Sequence, residues 1–302
     1  MRLLVTGANG LVGSRVCHLL TEQGHEVVGT GRGPRRAMGS WRYQSADLAR
    51  EAEVAAAFEA ATPEAVIHCA SMTEVDACEK APEQAQAANV DAVAFVARAA
   101  RQRGAHLVHV STDYVFDGEA GPYAEDALPN PRGVYALTKH MGEQAARVFV
   151  PGCAIARTAV VYGWPPVEGR LNFGAWLLGA LEKGQPVRLF EDQLVSPSHA
   201  GNVAEMLAEL AVRGLGGIWH TCGAEVLSRV AFGRAFCEHL GLDAGLIVPT
   251  KLADLKLAAP RPLRSGLRVD KALRELKARP LGLAESLGCF RQEWKRGIAP
   301  AS

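Results

Sequence analysis

The run Gly7-Ala8-Asn9-Gly10-Leu11-Val12-Gly13 constrains this chain more than any other segment. Apolar residues 2–6 lead into it, so the N-terminus reads as a first strand and not as a signal peptide. An apolar-periodic helix leaves it and runs to about Leu20. In the GxxGxxG spacing, glycines permit a tight turn, close approach of a pyrophosphate, and close helix–sheet packing. A glycine turn alone is weak evidence, but one set between a strand and a helix points to dinucleotide binding. Gly7, Asn9, Gly10, Leu11, Val12 and Gly13 are therefore candidate cofactor residues.

Residues 24–30 read as the second strand. Where an NAD-preferring site usually carries an acid, the sequence has Thr30-Gly31-Arg32. An Arg there can pair with a 2′-phosphate, so Arg32 favours NADPH, with NADH possible. A solvated basic loop is the competing reading. Asp47-Leu48 precedes an amphipathic helix over 51–60, where Asp47 is a candidate N-cap. Residues 65–70 read as a fourth strand whose C-terminal end should touch the cofactor, with Cys69, Ala70 and Ser71 at that end. A helix over 82–103 carries Asn89 near its centre. Asn is a poor interior helix residue, so it has either a hydrogen-bonding task or a place on the surface.

Leu107-Val108-His109-Val110 reads as a buried strand ending in Ser111-Thr112-Asp113-Tyr114-Val115-Phe116-Asp117-Gly118, and Tyr135-Ala-Leu-Thr-Lys139 follows. Tyr135 and Lys139 lie four residues apart and share one helix face. An ammonium beside a phenol favours phenolate and makes Tyr a usable acid near neutral pH. Hydroxyl, Tyr and Lys together resemble the catalytic set of the short-chain dehydrogenase/reductases. The segments 111–118, 122–125, 129–131, 135–143, 171–173 and 192–197 narrow the resemblance to the dTDP-4-dehydrorhamnose reductase family.

That resemblance implies an α/β fold: a Rossmann-type doubly wound parallel sheet with a smaller C-terminal substrate-binding region. Residues 1–163 would form the NAD(P)-binding part with the catalytic helix. Residues 164–302, rich in proline, would pack as smaller elements on the sheet edge without a second independent core. The implied activity is NAD(P)H-dependent reduction of a nucleotide-linked 4-keto-6-deoxy sugar. Tyr135 would give the proton, Thr112 and not Ser111 would supply the hydroxyl, and Lys139 would bind the nicotinamide ribose and lower the Tyr135 pKa. Asp47 and Leu48 would hold the adenine, and Asn89 would help a proton relay. Thr112, Asp113, Tyr114, Val160 and Asn172 would meet the substrate. Two positions depart from the family pattern: Val160 replaces a Trp that touches the sugar, and Val195 replaces a glycine.

Other readings are narrower. An NADP-binding regulatory subunit resembling the methionine adenosyltransferase beta subunit would share the same motifs without turnover. A nucleotide-sugar epimerase or dehydratase usually has more acids after the hydroxyl than Thr112-Asp113-Tyr114 offers. A net charge of +1 gives no pull towards nucleic acid or membrane, and no apolar stretch approaches a membrane span. Seven scattered cysteines without CxxC suggest free thiols in a reducing cytoplasm, with no metal site. His109 reads as a satisfied core residue. A homodimer through helices near 82–103 and 133–147 is plausible on the resemblance.

Overall fold

The computed structural model of the protein describes residues 1–166 and 171–296. Six strands, β1 (Arg2–Thr6), β2 (Glu26–Gly31), β3 (Arg42–Ser45), β4 (Ala65–His68), β5 (His106–Thr112) and β6 (Ala154–Thr158), join Gly217–His220 in one sheet. From one edge the order is Gly217–His220, β6, β5, β4, β1, β2, β3, and every neighbouring pair is parallel. The order reverses between β1 and β4, which opens a crevice at their C-terminal ends.

Both faces of the sheet are covered, so its central strands are apolar almost throughout. Successive side chains alternate between faces. Leu3, Val5, Ile67 and Val108 pack in the core that also holds Val16 and Leu20 of α1 (Leu11–Glu22) and Val203 and Leu207 of α8 (Ala200–Val212). Leu4, Val66, Leu107 and Ile155 pack with α2 (Glu51–Ala61), α5 (Ala92–Arg103) and α6 (Gly133–Phe149). Two elements beyond residue 163, α8 and the strand Gly217–His220, thus belong to the sheet layers.

The C-terminal elements share an apolar cluster built around a residue of the first part. Leu177 of α7 (Phe173–Leu181), Phe232 and Phe236 of α9 (Arg229–Leu240) and Phe290 of α11 (Leu283–Arg296) meet around Tyr162. These helices have no place on the sheet faces, so they bury their apolar sides against one another. The short helix α10 (Asp270–Glu275) lies beside Gly217–His220.

Three further boundaries differ from expectation. The sixth strand ends at Thr158, because Val160 turns into the left-handed region at φ 42°, and Val161–Tyr162 pairs instead with Ser198–His199. The helix expected over 82–103 begins as α4 (Pro82–Gln86), after a short α3 (Val75–Lys80), and reaches α5 through a π-helical turn at Ala87–Asp91. Asp47 does not cap α2, whose N-cap is Arg50; its carboxylate accepts from Ala49 N at 3.2 Å and closes a turn one step earlier.

Candidate active site

The glycine turn packs as its spacing requires. Gly7 has φ +69°, and a Cβ there would lie 2.9 Å from Ala70 N; one on Gly13 would lie 2.4 Å from Gly7 O. Helix α1 therefore sits hard against the strand ends, and no side chain caps its N-terminus. Its first N–H groups, around Leu11 and Val12, are left for an anion. Cys69, Ala70 and Ser71 follow β4 beside this turn, and Ala70 N donates to Thr6 Oγ1 at 3.1 Å. Leu48 is buried against the second face of the sheet. The Asn9 carboxamide accepts from Arg36 N at 2.8 Å and Ala37 N at 3.2 Å, pinning the loop after β2 to the glycine turn. In that loop Arg32 and Arg36 are exposed. Arg35 is committed to the loop itself, donating to Ala37 O and Trp41 O and lying over the Trp41 ring. This cradle fits a dinucleotide: Cβ-free close contacts, an uncapped helix and an exposed guanidinium at the end of β2.

Thr112 ends β5, and Tyr135 and Lys139 face it from α6. Ser111 is turned away: its hydroxyl donates to Glu143 Oε1 at 2.6 Å, beside a bidentate Arg157–Glu143 pair at 2.9 and 2.8 Å. Lys139 is buried and donates to Val110 O at 2.7 Å; burial pushes its ammonium down to about 8. The expected lowering of Tyr135 does not occur. Burial pushes the phenol up from its ordinary value. The reason is placement: the ammonium is engaged by the strand carbonyl, and the phenol is buried.

Asn89 is buried, not on the surface. It accepts from Met72 N at 2.8 Å and donates to Met72 O at 3.1 Å and Thr138 Oγ1 at 3.2 Å. The π turn places this carboxamide between α6 and the segment after β4. His109 is buried and kept neutral by its surroundings, stacked on His68 at 5.5 Å. It is not satisfied: neither ring nitrogen has a hydrogen-bond partner among the described residues.

Thr112, Asp113, Tyr114, Tyr135 and Val160 open into one cavity of about 410 Å³. The same cavity is lined by Phe173, Trp176, Arg188, Gln193, Arg229 and Arg261. Arg229 lies 4.7 Å over the Phe173 ring and donates to Gln193 at 3.1 Å, whereas Arg261 is paired with Asp76 at 2.7 Å. Three guanidinium groups, aromatic rings and two phenols in one cavity suit a polar, anionic ligand.

The family model described as RmlD substrate binding domain matches residues 1–293. The chain is 34% identical over 273 residues to the dTDP-4-dehydrorhamnose reductase of Mycobacterium tuberculosis, covering 88% of this chain and 84% of that protein. It belongs to this reductase family. The probable low-salt glycan biosynthesis reductase Agl14 of Haloferax volcanii is 39% identical over 91% of this chain and 92% of its own. Methionine adenosyltransferase 2 subunit beta of Xenopus laevis is 33% identical over 89% of this chain and 81% of its own. Among solved structures, the Bacillus anthracis dTDP-4-dehydrorhamnose reductase in complex with NADP superposes with a TM-score of 0.86. It is 25% identical, over 97% of this chain and 99% of that one.

Within the family frame, one expected substrate residue is elsewhere. Asn172 caps α7, bonding Ala175 N at 3.3 Å and Gly163 O at 2.7 Å, and does not line the cavity. Val195 is fully buried, pairing with Leu227 behind the cavity wall. Sequence reading passed over Arg188, Arg229 and Arg261, because isolated arginines carry no spacing signal. Gln193 lies within the family-like segment 192–197, and Arg261 stands between two prolines.

Proposed function

We propose that the protein is an NAD(P)H-dependent reductase of a nucleotide-linked 4-keto-6-deoxy sugar. The observation that carries this reading is a single cavity lined by Thr112 and Tyr135, with Lys139 buried one helical turn further on, and by Arg188, Arg229 and aromatic rings. Guanidinium groups suit a diphosphate, and Phe173 and Trp176 suit a planar base. The relatives named as reductases of such sugars support the same substrate class.

When bound, the dinucleotide supplies hydride. Glycines of the first turn and the N-terminus of α1 would receive its diphosphate, and Lys139, with hydrogens left beyond the one given to Val110, would hold its ribose. Tyr135, kept protonated by burial, gives its proton to the oxygen on which charge develops. Thr112 steadies that oxygen with a second hydrogen bond. Donors aimed at developing charge each contribute about a hundredfold or more in rate.

The test is consumption of reduced nicotinamide with dTDP-4-keto-6-deoxy sugar, comparing the protein with Tyr135→Phe. Turnover lost in the variant, with dinucleotide binding kept, supports a reductase. Dinucleotide binding without turnover in the parent protein favours a regulatory subunit, the reading suggested by the relative named as a methionine adenosyltransferase subunit.

A further inference from the structure

Asp113 is buried at the end of β5 and uses both carboxyl oxygens. Oδ1 receives the Thr112 hydroxyl at 3.1 Å, and Oδ2 receives the Ser265 hydroxyl at 2.6 Å. Ser265 is fully buried and comes from the C-terminal region. Its backbone N–H donates to Leu194 O at 3.0 Å, while Arg264 N donates to Gly118 O at 3.0 Å. The segment is thus stitched on both sides, and the serine is held where it is.

Counting donors shows what this does to Thr112. A hydroxyl has one hydrogen and two lone pairs. Tyr114 N already donates to Thr112 Oγ1 at 3.2 Å. While Asp113 is ionised, the Thr112 hydrogen is drawn to Oδ1 and none is left for a ligand. Protonation on Oδ1, with Ser265 still donating to Oδ2, makes Asp113 a donor to Thr112. Both Thr112 lone pairs are then filled, and its hydrogen turns into the cavity.

We propose that Asp113 and Ser265 are a positioning pair whose acid form aims the Thr112 hydroxyl at the reacting oxygen. This rests on the reductase reading for its catalytic consequence, though not for the titration itself. The charged and titratable groups around Asp113 are Arg229 from α9, Tyr135 from α6, Tyr114 from its own turn, and Cys222 after the strand Gly217–His220. Burial pushes Asp113 up to about 6, against the hydrogen bonds from Ser265 and Thr112 and the charge of Arg229. Reduction should therefore weaken as pH rises through the Asp113 titration.

The experiment is a carboxyl-carbon NMR titration of the full chain labelled at aspartate, with the Asp113 signal assigned by its loss in Asp113→Asn. It is paired with kcat against pH. The expected result is a titration above the ordinary aspartate range that moves higher in Ser265→Ala, because one donor to the carboxylate is gone. The alkaline fall in kcat should follow that movement and vanish in Asp113→Asn, whose amide permanently donates to Thr112. An ordinary titration, or one that Ser265→Ala leaves in place, overturns the pair. An unchanged alkaline fall in Asp113→Asn overturns its effect on Thr112. If the parent protein shows no turnover at any pH, the reductase reading fails, while the NMR titration still decides the pair.

Discussion

Ser111 and Thr112 are neighbours on β5 whose hydroxyls point to opposite sides: Ser111 donates to Glu143 at 2.6 Å, and Thr112 opens into the cavity. Strand alternation produces this split, and it separates a structural hydroxyl from a chemical one. Thr112→Val should lower kcat by about a hundredfold with little change in dinucleotide affinity. Ser111→Ala should cost about 1 kcal/mol of stability and leave turnover within about twofold. Steady-state kinetics beside urea unfolding of the two variants checks this; equal kinetic losses would refute the split.

Glu143 should govern acid stability. Burial opposes its ionisation, but hydrogen bonds from Arg157 and Ser111 and the Arg157 charge win and hold it at about 2. The folded value is below that of the unfolded chain, so its contribution is present above about pH 4.3 and lost as pH falls towards 2. Glu143→Gln leaves Arg157 buried and unpaired, which should cost about 3 kcal/mol or more at neutral pH. The gap from the parent should shrink steadily below about pH 4 in urea titrations. A gap of constant size would mean that the pair does not carry the acid dependence.

Val160 should be a strained position. A β-branched residue at φ 42° stores on the order of 1 kcal/mol or more, and Ser198 N donating to its carbonyl at 3.2 Å keeps it there. Val160→Gly should raise stability by about 1 kcal/mol, the reverse of the usual effect of glycine in such a segment. Thermal unfolding reads the sign directly. The same variant should also widen the cavity and alter KM for the sugar.

Arg32 should set cofactor choice. It is exposed at the end of β2, on a loop that Asn9 ties to the glycine turn. Arg32→Glu should weaken NADPH binding about tenfold, roughly 1.4 kcal/mol, without weakening NADH. Parallel calorimetric titrations with both nucleotides test this. Equal losses would assign Arg32 to the surface alone.

The sheet and the cofactor end of the site were legible in the sequence, because their signals are local. A strand, a glycine turn and a helix succeed one another within some twenty residues, and Tyr135 and Lys139 are bound to one face by helical period. The periodicity did not reveal the π turn that buries Asn89, since the alanine-rich stretch around it carries little apolar contrast for an extra residue to break. It also missed the end of β6 at Thr158, because Ala159, Val160 and Val161 read as strand while the backbone at Val160 does not.

The substrate end was decided only by the tertiary structure. Arg229, Arg261 and Ser265 lie far along the chain from Thr112, and nothing in their neighbours' composition links them to it. Arg229 and Arg261 reach the cavity, and Ser265 reaches Asp113, because α9 and the 260–268 segment pack over the C-terminal ends of the strands. The same packing commits Asn172 to a helix cap and raises Tyr135, which spacing alone suggested would be lowered. By itself the sequence determined which groups the chain carries for its chemistry. Burial and close packing, which depend on every distant segment at once, decided their protonation and their partners.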